Sequence, residues 1–70
     1  MTPAIEDEPM LRWFAYDHLP ERLRDVSREF SALAYTIFKR LPRCAERTVA
    51  LRKLLEAKDA AVRAELSRND

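Results

Sequence analysis

Seventy residues, 47% hydrophobic and 36% charged, allow one small domain at most. The apolar share is too high for a disordered chain, and a net charge of +1 does not form the basic stripe typical of duplex-binding domains. No apolar run is long enough to span a bilayer. A single cysteine, Cys44, and a single histidine exclude an intramolecular disulfide and the usual structural zinc patterns.

The charge is unevenly spread. Glu6, Asp7 and Glu8 make the first ten residues net −3, which leaves +4 (13 basic against 9 acidic) on residues 11–70. An excess that mild permits a small anionic ligand without requiring a polyanion. The opening MTPAIEDEPM, with two prolines and an acidic run, reads as a flexible arm over about residues 1–12. It lacks the basic start of a signal peptide, so a cytoplasmic chain is expected. LRWFAYDHLP follows and crowds Trp13, Phe14 and Tyr16 into four positions. It is too short and interrupted for a long helix and is expected as an extended or one-turn lead-in. Its aromatics fit core or interface packing; the alternative is a platform on which a base stacks.

Pro20 suits the first position of a helix and keeps Leu19 out of the helical region. From there Leu23, Val26, Phe30, Leu33, Ala34, Ile37, Phe38 and Leu41 recur at three- and four-residue intervals. Lys39 and Arg40 suit the negative end of the dipole, and Pro42 stops the helix. The first helix is therefore expected over 20–41 and the second over about 45–67, within a domain spanning 13–68. No strand-like alternation occurs. Two long helices joined by so short a turn must lie antiparallel. The fold expected is all-α: an antiparallel two-helix hairpin with a short N-terminal lead-in.

The second helix has two apolar faces. Leu51, Leu54, Leu55 and Val62 make one; Ala50, Ala57, Ala61 and Ala64 make another beside it. Together they cover about half the circumference, beyond the ~100° of an ordinary surface helix. One partner helix cannot cover both, so assembly into a homo-oligomeric helical bundle is expected.

Lys58 is the oddity. At about 100° per residue it falls beside Leu51, Leu55 and Val62, on the face the helix should bury. Either its stem lies on apolar surface while the ammonium reaches water, or it and Arg47, on the same side, line a crevice for an anion. Arg47 and Thr48 sit at a helix start, where free amides favour phosphate. His18 could donate to a phosphate or ribose, or could be an ordinary surface residue. Ser27 and Ser31 fit close helix contacts, with Arg28 beside them adding a charge that could meet a ligand. Arg52 with Glu56, and Asp59 with Arg63, read as solvated pairs four residues apart. No paired carboxylate, orienting third group for Cys44 or His18, or glycine-rich loop is available, so an enzyme is not expected.

The residues also carry a resemblance. Phe14, Tyr16, His18, Leu19 and Pro20 lead into a Val-Ser-x-x-Phe-x-x-Leu-Ala helix (Val26 to Ala34). A Leu-Pro turn follows, then ERTVALRKLLEAKDAA (Glu46 to Ala61). Over residues 14–64 this resembles the helical-hairpin domain of the phage anti-CBASS and anti-Thoeris sponge proteins. The resemblance implies a small homohexamer in the cytoplasm of the infected bacterial host. It would hold a cyclic dinucleotide, cyclic trinucleotide or cyclic ADP-ribose variant between subunits, uncleaved and without a cofactor, and so keep host defence silent. The family's ligand-contacting tyrosine falls at Tyr16, and its second-helix contacts at Arg47 and Thr48. Its basic residue on the first helix falls at Ser31, a departure, with Arg28 three residues earlier. The other expectation is a helical oligomerisation or protein-interaction module without a nucleotide. A helix-turn-helix DNA binder is disfavoured by near-neutral charge and long helices.

Overall fold

The computed structural model describes residues 9–69. A 3-10 helix, Pro9–Phe14, leads by a turn into α1, Glu21–Arg40; α2 runs Ala45–Leu66 and closes in a 3-10 turn, Ser67–Asn69. No strand occurs among the described residues. Both long helices match the spacing of their apolar residues. Pro20 stands just outside α1, at its N-cap, with φ −55° and ψ 154°. Its carbonyl accepts the first helical bonds, from the Leu23 and Arg24 amides at 3.0 and 2.9 Å.

The other end of α1 solves a problem set by composition. Helices commonly end on a glycine in the left-handed region, which satisfies the last carbonyls, but this chain has no glycine. Leu41 leaves the helix in an extended conformation, φ −104° and ψ 146°, with its amide bonded to the Ile37 carbonyl. Two more carbonyls at this end are met from α2. One Arg47 guanidinium nitrogen donates to the Phe38 and Leu41 carbonyls, at 3.2 Å each. Its carbon lies 4.8 Å from the centre of the Phe38 ring. A cation is thereby placed at the negative end of the α1 dipole.

The hairpin is antiparallel, because Arg47 at the start of α2 meets the end of α1 and Glu65 at the end of α2 flanks Arg22 and Val26 at its start. Two helices touching along a line cannot enclose a core, and the third layer comes from the lead-in. Leu11 and Phe14 are fully buried with Ala34 of α1 and Leu51 of α2. Tyr35, Phe38, Leu54 and Leu55 pack around that cluster. Part of the apolar surface that the sequence reading gave to another copy is therefore covered from within the chain.

The flexible arm expected over 1–12 does not take in residues 9–12. Residues 1–8 lie outside the described residues, while Pro9–Arg12 belong to the 3-10 helix and Leu11 to the core. The three aromatics part company: Phe14 is buried, Tyr16 half-buried, and Trp13 is 56% exposed. The solvated pairs also differ from expectation. Glu56 turns to Lys53 at 3.8 Å, three residues away, and Asp59 to the adjacent Lys58 at 3.9 Å.

Replacing Phe14 with Ala should cost about 3–5 kcal/mol, read as a lower midpoint in a urea melt followed by circular dichroism. A loss below about 1 kcal/mol would remove the lead-in from the core.

Candidate functional site

The eight residues singled out in the sequence fall into separate places. Tyr16 and His18 lie in the turn between the 3-10 helix and α1; His18 is exposed and the Tyr16 carbonyl accepts the Leu19 amide at 3.1 Å. Ser27 and Ser31 are buried on α1, and the Ser27 hydroxyl has no hydrogen-bond partner among the described residues. Arg28 is exposed and donates to the Asp25 carboxylate at 3.2 Å. Arg47 and Thr48 lie at the closed end of the hairpin. The Thr48 hydroxyl reaches back to the Cys44 carbonyl at 3.5 Å, a long contact typical of a threonine on a first helical turn.

Lys58 has a partner that spacing alone does not suggest. Its side chain is 12% exposed, and its ammonium donates to the backbone carbonyl of Trp13 at 2.7 Å. Trp13 stands next to last in the 3-10 helix, where carbonyls lack intrahelical partners. The lysine on the apolar face therefore lies under the lead-in and ties it down. Neither the water-seeking nor the anion-binding reading includes that bond, because the partner is main chain 45 residues away.

Arg47 and Lys58 thus play the same part. Each is a cation on the inner side of α2 and each meets carbonyls at the end of another helix. Eleven residues separate them, about 16 Å along the axis, so they serve opposite ends of the core. Arg47 is only 6% exposed, and its guanidinium forms part of the packed turn.

Two surface features remain. The closed end gathers Lys39, Arg40, Arg43, Arg47, Arg52 and Lys53 against the single acid Glu46; all of these except Arg47 are exposed. The open end is close to balance, with Asp17, Glu21, Asp25, Glu29 and Glu65 against Arg22, Arg24, Arg28, Arg63 and Arg68. There an open groove of about 590 Å³ is lined by Arg22, Asp25, Val26, Glu29, Phe30 and Glu65. The Arg68 guanidinium holds Glu65 through bonds of 2.9 and 3.0 Å. That hydrogen bonding, with the Arg68 charge and then Arg22, keeps the Glu65 carboxyl below its ordinary pKa despite an opposing desolvation. Glu65 is therefore ionised but paired, and with Arg28 on Asp25 and Arg22 in the wall the groove has no excess of cations to attract an anion. None of the eight residues lines it. Its acids are scattered through the sequence, and only the antiparallel register brings Glu65 to Asp25 and Glu29.

No protein-family model matches this chain, and neither a curated protein nor a solved structure matches it. Among the described residues, no group of three or more histidine, cysteine, aspartate and glutamate side chains is placed to hold a metal ion. No described helix is long and apolar enough to cross a membrane.

Lys58→Met keeps the stem and removes the donor. It should cost about 1.5–3 kcal/mol, the range for hydrogen bonds to charged groups, and speed amide exchange over residues 9–14 while the helices keep theirs. Equal exchange in both proteins would show that the bond does not hold the lead-in. Arg47→Lys should fail to restore what Arg47→Ala loses, because a lysine lacks the flat guanidinium that lies over Phe38 while donating to carbonyls. Thermal melts of the two variants decide this: a full rescue would reduce Arg47 to a point charge.

Proposed function

We propose that this chain is a non-catalytic binding protein that sequesters a cyclic nucleotide immune messenger between copies of itself, in the manner of the phage sponges it resembles. The observation that carries the reading is the closed end of the hairpin. Six of the thirteen basic residues are concentrated there within fifteen positions, in a chain whose net charge is only +1. A local field of that sign raises the concentration of a phosphodiester ligand and speeds its encounter.

The layout also favours a site built by more than one copy. Tyr16 lies at the open end of the hairpin, four residues before Pro20, while Thr48 lies at the closed end. Ten residues of α2, about 15 Å, separate Thr48 from Lys58, which holds Trp13 three residues before Tyr16, so contact with both is easiest where two copies adjoin. Thr48, Tyr16 and His18 with the exposed cations Arg40 and Arg43 are the contacts we assign. Arg47 shapes the wall of that site as the fixed end of the turn. The host cytoplasm and a hexameric assembly belong to the same proposal.

A second reading, a helical interaction module without a nucleotide, is favoured by the commitment of Arg47 and Lys58 to main-chain carbonyls. Titration separates the two. A panel of cyclic dinucleotides, cyclic trinucleotides and cyclic ADP-ribose isomers is titrated calorimetrically, and the bound ligand is recovered by heating and weighed by mass spectrometry. At least one member should bind and return intact. Arg40→Glu with Arg43→Glu should weaken its binding at least tenfold, with helical content unchanged. No heat from any member leaves the interaction module, and a cleaved product overturns the non-catalytic reading.

A further inference from the structure

The lead-in covers one side of the hairpin and leaves the other bare. Ser27 and Ser31 are buried on the covered flank of α1, whereas Leu33, on the opposite flank, is 48% exposed. On the bare side Val26, Phe30, Leu33 and Ile37 recur along α1 at spacings of four, three and four. Along α2, Ala50, Leu54, Ala57, Ala61 and Ala64 recur at four, three, four and three. The right-handed sense of both helices, run antiparallel, brings these two stripes to the same side of the pair. Leu33, Ala57 and Ala64 are exposed and the other six are only partly covered, with Phe30, Ile37 and Leu54 also touching the core on their inner sides. Spacings that alternate three and four are those of a seam that packs on another helix pair.

We propose that this bare face is occupied by a second copy of the chain, turned end for end about a twofold axis that passes close to Ala57. Three features choose the occupant and its direction. The helix pair extends 41 × 23 Å, which accommodates the ~800 Å² per partner of a standard stable interface. Within the α2 stripe, Ala50 and Ala64 lie seven residues to either side of Ala57. An end-for-end partner therefore lays alanine over alanine and lets the two backbones approach closely. Finally, the ends differ in charge: the closed end is strongly basic and the open end is close to balance. Turning one copy end for end brings the basic closed end, with Arg40, to the groove that holds Asp25, Glu29 and Glu65 on the other. Pairing with like ends together would instead set the two basic ends against each other, which is costly at an interface.

The pairing concerns the apolar face and needs no nucleotide, so it stands or falls apart from the sponge reading. It deepens that reading by bringing the open end of one copy, with Tyr16, towards the closed end of the next.

The test is a disulfide. In a Cys44→Ser background, Ala57→Cys places a thiol beside its own symmetry mate, within the 4.4–6.8 Å Cα separation a disulfide needs. Mild oxidation without ligand should convert most of the chain to a covalent dimer, while Arg63→Cys, on another side of α2, should not cross-link. Leu33→Asp should lower the mass seen by light scattering and leave the helical circular dichroism in place. An Ala57→Cys chain that stays reduced overturns the end-for-end arrangement, since like-end pairing sets Ala57 against α1 of the partner. An unchanged mass for Leu33→Asp overturns the face itself. Nucleotide titration of the unaltered chain reports separately on the sponge reading.

Discussion

Two antiparallel helices meet along a line, and a line cannot shut out water. Everything else in this small fold answers that constraint. Six residues of 3-10 helix lay Leu11 and Phe14 against Ala34 and Leu51, turning the seam between α1 and α2 into a core. The lead-in can do this on one side only, because it is a single short segment and the pair has two sides. The bare side, with its leucine and alanine stripes, is the direct consequence.

The core is held at both ends by cations that would ordinarily be assigned to the surface. A chain without glycine cannot close a helix with the usual left-handed residue, and a 3-10 helix ends with carbonyls exposed just where it enters the core. Arg47 and Lys58 meet those carbonyls from α2. Each charge-assisted bond replaces what water would otherwise have to provide inside a packed layer. This division of labour bears on function. Two of the positive groups nearest the apolar face are occupied by the fold, so attraction for an anion rests on the exposed cations of the closed end.

The hairpin is also electrically directional. The turn region carries an excess of arginine and lysine, whereas the free ends balance Asp25, Glu29 and Glu65 against Arg22, Arg28 and Arg68. In a single copy this separation gains nothing in stability. The binding site proposed between two chains and the proposed pairing of opposite ends both rest on this distribution of charge.

The helices, their limits to within a residue or so and their antiparallel arrangement were readable in the amino-acid order, because apolar spacing, Pro20, Pro42 and a short turn are local signals. The same holds for the doubled apolar surface of α2. The partners of Lys58 and Arg47 were not readable, and neither was the start of the core at Leu11. Those depend on carbonyls up to 45 residues away, and a backbone carbonyl leaves no mark in a sequence because every residue has one. The acidic groove was hidden for a related reason: Glu65 joins Asp25 and Glu29 only once the register of the two helices is set. Local periodicity decides what each helix is, and packing decides what its unusual residues are for.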